Sequence, residues 1–164
     1  MIYKIFSEFK ENVAALPHRL LALDVGTKTV GTAISDSGCR IASPIKTIQR
    51  KGKLLEISDI KKVIDEYSVK SLIVGYPVHM NGEAGERCEY VQAYATAVTE
   101  SLNLPILLWD ERMSTMSAER MLLEGDMSRA KRKDHIDAVA ASIILQSFLD
   151  FLGHQRDANS LSQE

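Results

Sequence analysis

The sequence predicts an α/β fold, with a mixed five-stranded sheet flanked by helices. Three strand-like segments follow one another early in the chain, and helical and strand-like segments alternate after them. The chain has 164 residues, which is enough for one α/β domain with its own core and too few for two full domains.

The first three strands are expected to form an antiparallel meander. They are predicted at 20–24, 30–36 and 40–48, and Gly26 allows a tight connection between the first two. Pro44 lies within the third segment. Because proline cannot donate a hydrogen bond to a neighbouring strand, it indicates a bulge or a sheet edge.

The remaining segments alternate in type, which predicts crossovers that add parallel strands to the meander. Helices are predicted at 53–67, 84–102, 115–124 and 134–152, and strands at 70–75 and 104–109. These two strands are continuous apolar runs. Such runs are typical of central strands that are covered on both faces.

The predicted domain covers residues 19–152. Residues 1–18 form an N-terminal extension whose short amphipathic helix is not expected to continue through Pro17. Residues 153–164 form a polar tail that is predicted to be disordered.

Composition and charge narrow the class of protein. The formal net charge is −2, so any cationic surface for nucleic acid has to be local. Cys39 and Cys88 provide neither a disulfide framework nor a zinc motif, and they are expected to be reduced thiols. The N-terminus has no apolar core of signal-peptide type, and we find no apolar run that approaches the length of a membrane span. A cytoplasmic protein without a membrane partner is therefore predicted.

Carboxylates stand at the ends of three predicted buried elements. Asp24 ends the first strand, Asp110 and Glu111 directly follow the strand at 104–109, and Asp137 lies in the first turn of the last helix. Since strand neighbours point to opposite faces, only one of Asp110 and Glu111 can join Asp24. Each acid also has a structural interpretation, as a turn residue or as a charge that stabilises a helix N-terminus.

Three such carboxylates together would form a cluster of hard oxygen ligands. Mg²⁺ or Mn²⁺ suits this ligand set, whereas zinc does not. Two such ions about 4 Å apart stabilise the attacking and leaving oxygens when a phosphodiester is hydrolysed. The pattern therefore predicts a metal-dependent phosphodiesterase that holds two ions when substrate is bound.

Four segments resemble the successive motifs of the YqgF/RuvX family. They are DVGTKTVGTAISD, VGYPVHMNGEAG, DERMST and KRKDHIDAVAASIILQSFL, and the resemblance extends from about residue 20 to 150. It implies an RNase-H-like fold and an endonuclease that hydrolyses phosphodiester bonds in structured nucleic acid. The favoured substrate is the precursor of 16S ribosomal RNA, with the ribosome as a further candidate partner. A Holliday junction resolvase acting on four-way DNA is the alternative.

The resemblance also implies roles for the acidic residues. Asp24 and Asp137 correspond to two metal ligands, and either Glu111 or Asp110 corresponds to the third. Asp134 is a candidate fourth ligand, because its DxxD spacing with Asp137 resembles that of the RuvC resolvases.

Several cations are candidates for contacting nucleic acid. The resemblance favours a phosphate contact for Lys28, while Arg112 either orients a carboxylate, contacts phosphate or forms a plain ion pair. A dense basic run precedes the helix that carries Asp137. It consists of Arg129, Lys131, Arg132 and Lys133. This run is expected to contact the backbone without sequence choice, unless it is merely a solvated face.

Two rival functions come from other classes. The first-strand motif also resembles the phosphate loop of the actin and sugar-kinase superfamily, but those enzymes need a second domain that this chain has no room for. A ribosome- or transcription-associated binding module without turnover is the other rival. A symmetric DNA junction predicts a two-fold homodimer, whereas RNA processing is compatible with a monomer.

Overall fold

The computed structural model describes residues 1–113 and 129–163, except for the side chains of 129–135. Its elements are β1 (Ile2–Tyr3), α1 (Phe6–Asn12), β2 (Leu20–Val25), β3 (Thr29–Ser35), β4 (Ala42–Gln49), α2 (Lys53–Tyr67), β5 (Ser71–Tyr76), α3 (Glu86–Leu102), β6 (Ile106–Asp110), a 3-10 turn (Glu111–Met113) and α4 (Arg129–Leu161). The helix predicted at 115–124 lies outside the described residues.

The described strands form one mixed sheet in the order β1-β6-β5-β2-β3-β4. β2, β3 and β4 pair antiparallel, which confirms the predicted meander. β5 and β6 continue the sheet in parallel from β2, as predicted. The sheet has six strands instead of the expected five, because Ile2 and Tyr3 add a short parallel strand beside β6. Two residues are too few to show the alternation that identifies a strand.

Pro44 lies in an edge strand, next to a β-bulge. β4 is an edge strand of the sheet, and its pairing with β3 shifts between Thr32–Lys46 and Ala33–Pro44. Ile45 is therefore the extra residue of a bulge. Both features were expected from a proline that cannot donate to the strand ladder.

Side-chain alternation along β2 creates two cores. Leu21 and Leu23 face α2 and α3, whereas Leu20 and Ala22 face α4. Both cores are fully enclosed, so β2 and its neighbours contain apolar residues on both faces. Burying one such large side chain contributes roughly 1.5–3 kcal/mol to folding, and the two layers together hold the sheet between the helices.

The N-terminal extension packs against the α4 core. Phe9 is fully buried, and the ring of Phe6 makes edge contacts with Phe148 and Phe151 at centroid distances of 5.9 and 5.0 Å. The extension thus covers the β6 side of the sheet. The boundary between residues 18 and 19 stays a prediction.

The C-terminal end differs from the sequence-based expectation. α4 begins at Arg129 and continues to Leu161, so the tail predicted to be disordered from Gly153 is helical over most of its length. A single helical glycine costs only about 1 kcal/mol relative to alanine. Packing on both sides compensates for it, since Leu152 is buried and Arg156 donates a hydrogen bond to the Gly38 carbonyl at 3.1 Å.

One segment of α4, Ile136–Leu161, is long and apolar enough to cross a membrane by length and composition, which differs from the expectation of no such run. Ile144, Leu145 and Phe148 in this segment are fully buried against the sheet. A core helix therefore accounts for its apolar character.

Candidate active site

Asp24 lies at the carboxyl end of β2 on the face that α4 covers. It pairs with Gly31 of β3, and the β2–β5 register places Gly75 beside it on the other side. Alternation with Leu20 and Ala22 directs the Asp24 side chain toward α4. The Asp24 carboxylate is half-buried at the carboxyl end of this central strand. The two flanking glycines leave space there for other groups.

Gly31 allows Asp137 to lie close to this end of the sheet. A Cβ atom on Gly31 would overlap the backbone carbonyl of Asp137, so the helix rests directly on the strand. The Asp137 side chain is then fixed by Thr29, whose hydroxyl donates to Oδ2 at 2.7 Å. The fully buried Ala141 lies one helical turn further along. Small residues on both surfaces, Gly31 on the strand and Ala141 on the helix, thus let the two elements approach closely.

Glu111 also lies on the α4 side of the sheet. Its Oε1 atom would be 2.7 Å from a Cβ built on Gly75, and the Ile144 methyl group would be equally close. Since Gly75 is beside Asp24 in the sheet, the absent side chain is what allows Glu111 to lie over β5. The 3-10 turn that begins at Glu111 carries this side chain past the end of the strand.

Asp110 is oriented differently. Alternation with Ile106 and Leu108, which belong to the core under α2 and α3, directs it to the opposite face. Both of its carboxylate oxygens accept hydrogen bonds from Arg112, including one from Nη2 at 2.6 Å. These bonds hold the pKa of Asp110 below its ordinary value. Of the two neighbouring acids, Glu111 is therefore the one that shares a face with Asp24.

The three carboxylates have the donor chemistry that Mg²⁺ or Mn²⁺ requires. Glycines at 31 and 75 provide the room beside them. Among the described residues, however, no three His, Cys, Asp or Glu side chains are grouped closely enough to hold a metal ion. The three carboxylates thus have suitable donor atoms and lie on the same face of the sheet, but their side chains are not close enough together to coordinate one ion in this structure.

The predicted cationic residues have different surroundings. Lys28 is exposed in the β2–β3 turn. Arg112 is exposed and paired with Asp110, as in the plain ion-pair interpretation. The side chains of the basic run and of Asp134 lie outside the described residues, and the backbone places all of them in the first turns of α4.

Sequence reasoning missed Thr29, Gly31, Gly75 and Arg50. The two glycines had a usable signal, since glycine within a strand marks close approach of another backbone or group. Thr29 had none, because its bond to Asp137 joins residues 108 positions apart. Arg50 donates to the Gly26 carbonyl at 2.9 Å, a contact that depends on the arrangement of the whole sheet.

Comparison with known proteins gives a consistent result. The family model RuvX, described as Holliday junction resolvase, matches residues 18–151. A relative from Desulfitobacterium hafniense is 43% identical over 86% of this chain and 98% of its own. Another from Caldanaerobacter subterraneus is 49% identical over 80% of this chain and 96% of its own. Both carry the name "Putative pre-16S rRNA nuclease".

A solved structure shows the same fold. RuvC from T. thermophilus in complex with Holliday junction substrate superposes with a TM-score of 0.50 at 12% identity, covering 84% of this chain and 97% of that one. The predicted RNase-H-like architecture is thereby confirmed.

The contact between Gly31 and α4 can be tested by adding one methyl group. Gly31→Ala should lower the free energy of unfolding by about 1–3 kcal/mol, because the methyl group would displace the backbone at Asp137. Gly153→Ala is the matched control, since no atom lies within 4 Å of its added Cβ. Urea denaturation should show the control to be neutral or more stable by up to about 1 kcal/mol. Equal effects of the two substitutions would contradict the close approach.

Proposed function

The chain belongs to the RuvX family, described as Holliday junction resolvase, and on this premise we propose that it is a metal-dependent endonuclease that processes the precursor of 16S ribosomal RNA. A hydrolase acting on nucleic acid agrees with the family and with the names of the relatives. One observation carries the proposal. Asp24, Glu111 and Asp137 lie on the same face of the sheet, at the end where β2, β5 and β6 have their carboxyl ends.

These three carboxylates are the proposed ligands of Mg²⁺ or Mn²⁺, with two ions when substrate is bound. Bound there, the ions would activate water for attack on the phosphodiester and stabilise the leaving oxygen. The chain itself orients the ligands. Thr29 fixes the Asp137 carboxylate by its hydrogen bond, and the space over Gly75 admits the Glu111 side chain.

Cations around this edge would hold the substrate. Lys28 follows Asp24 in the β2–β3 turn and is exposed to solvent, which suits a phosphate contact. Two hydrogen bonds to Asp110 fix the plane of the Arg112 guanidinium. Its Nη1 atom lies near the loop at Gly82. We assign Asp110 the role of orienting Arg112, so its contribution to catalysis is indirect.

The choice of RNA as substrate is supported by the names of the relatives. Cytoplasmic location and contact with the ribosome follow from that substrate. The description of the family model supports a second candidate, cleavage of four-way DNA junctions, for which a two-fold homodimer would be needed. A binding module without turnover is the third candidate.

Cleavage assays with Asp24→Asn test the proposed function. Wild-type protein with Mg²⁺ or Mn²⁺ should cut precursor 16S RNA, and EDTA should abolish this activity. Asp24→Asn should cut about a thousandfold more slowly while still binding RNA, since one ligand of the ion would be lost. Paired cuts across a synthetic four-way junction, without RNA cleavage, would favour the DNA substrate. Binding of RNA without any metal-dependent cleavage would support the binding module.

The different orientations of the neighbouring acids give a sharper test. Glu111→Gln should reduce the cleavage rate about as strongly as Asp24→Asn, because both would remove a ligand. Asp110→Asn should reduce it less than about fivefold, because it weakens only an exposed ion pair. Single-turnover rates at saturating metal would separate the two. The reverse order would identify Asp110 as the ligand.

The basic run at the start of α4 makes a separate prediction. Replacing Arg129, Lys131, Arg132 and Lys133 by glutamine should reduce the salt dependence of RNA binding by roughly 0.7 per lost phosphate contact, since fewer counterions are released. Replacing the exposed Lys61 and Lys62 of α2 is the control. Fluorescence anisotropy at several salt concentrations measures both slopes, and an unchanged slope in the α4 variant would exclude the contact.

A further inference from the structure

Arg50 contacts the turn that follows Asp24. Its Nη1 atom donates to the Gly26 carbonyl at 2.9 Å, and its backbone N–H donates to the Lys28 carbonyl at 2.9 Å. One residue therefore holds both ends of the three-residue segment 26–28. The turn has its own bond from the Gly26 N–H to the Thr29 carbonyl at 2.8 Å, but Thr27 and Lys28 are exposed. Arg50 ties this exposed turn to the layer of α2 and α3, and Arg87 of α3 adds a longer bond to the Val25 carbonyl just before it, at 3.3 Å.

Arg50 is itself fixed on three sides. Its Nε atom donates to Glu56 at 2.8 Å, and Glu56 is only 5% exposed. The guanidinium lies over the rings of Tyr94 and Tyr90, at 4.9 and 5.4 Å from their centroids, and Nη1 also contacts the Tyr90 hydroxyl. Burial lowers the pKa of Arg50, but the interactions with Glu56 and Tyr90 together outweigh burial and raise the pKa above its ordinary value. The arginine is therefore a charged, planar and immobilised group.

A buried ion pair is a poor way to gain stability alone. Removing two charges from water costs several kcal/mol per ion, so apolar residues of similar volume often stabilise a fold as well or better. What a planar arginine adds is direction, because its donors have a fixed geometry. Here one donor direction is used for Glu56 and another for the carbonyl of Gly26.

The turn held by Arg50 joins two parts of the candidate active site. Asp24 lies two residues before Gly26, and Thr29, which bonds Asp137, follows Lys28 directly. A shift of the turn would therefore move Asp24 relative to Asp137. We propose that Arg50 is a positioning residue, which fixes the 26–28 turn and thereby limits the movement of Asp24 relative to Asp137 when the divalent ion binds. Its effect on metal binding rests on the function proposed above, while its effect on the turn does not.

The test uses a variant that avoids an unpaired buried charge. Arg50→Met alone would leave Glu56 buried without its partner, so the main variant is Arg50→Met with Glu56→Gln. Arg50→Lys is the conservative variant, since it keeps the charge opposite Glu56 but loses the planar fork. Arg19→Met is the matched control. Arg19 also stacks on a tyrosine, at 5.8 Å from the Tyr67 ring, but it precedes β2 at the opposite end of that strand.

Two measurements on the full chain decide the role. Amide hydrogen exchange of residues 26–29 without metal should be about tenfold faster or more in the double variant, because the side-chain bond to the Gly26 carbonyl is lost while the backbone bond to Lys28 remains. The dissociation constant for Mn²⁺, measured by titration calorimetry, should rise about tenfold, as it does when groups that orient metal ligands are removed. Arg50→Lys should give intermediate values, and Arg19→Met should match the wild type in both.

Unchanged exchange or an unchanged Mn²⁺ affinity in the folded double variant would overturn the proposal. Faster exchange with unchanged affinity would reduce Arg50 to a structural contact. If the double variant fails to fold by circular dichroism, Arg50→Lys decides by the same two measurements. If wild-type protein binds no Mn²⁺, the proposed function fails, and exchange in the turn still decides whether Arg50 fixes it.

Discussion

The close approach of α4 to β3 is the constraint on which the candidate active site depends. A strand that lacks a side chain at Gly31 lets the helix backbone rest on the sheet. This contact brings Asp137 to the carboxyl end of β2, where Asp24 lies, and the Thr29 hydroxyl fixes the orientation of the Asp137 carboxylate. Gly75 has the same effect on Glu111. The missing Cβ atom of Gly31 leaves space for the backbone of Asp137, and that of Gly75 leaves space for the carboxylate of Glu111.

The charges at this end of the molecule are arranged in pairs with separate roles. Asp110 and Arg112 hold each other on one side of the sheet edge. Arg50 and Glu56 form a more buried pair in the layer of α2 and α3, and from there Arg50 donates a hydrogen bond to the 26–28 turn. Each pair is neutral overall, so the effect of these arginines is to direct hydrogen-bond donors and not to make the surface basic.

The sequence allowed prediction of what depends on local pattern. The meander and the two central strands follow from alternation and continuous apolar runs. The choice between Asp110 and Glu111 did not, because it depends on a 3-10 turn that begins at the end of β6. The two-residue strand β1 and the helical continuation of α4 also carried no local signal, since both are stabilised by packing against distant residues such as Ile106 and Gly38.

Diffraction from crystals grown with Mn²⁺ would show whether carboxylates of β2, the 3-10 turn and α4 form one metal site. A shared site should give an anomalous peak within about 2.5 Å of carboxylate oxygens of Asp24, Glu111 and Asp137, the range of metal–oxygen bonds in such sites. A peak at Asp110 or away from this edge of the sheet, or the absence of any peak at saturating Mn²⁺, would contradict it.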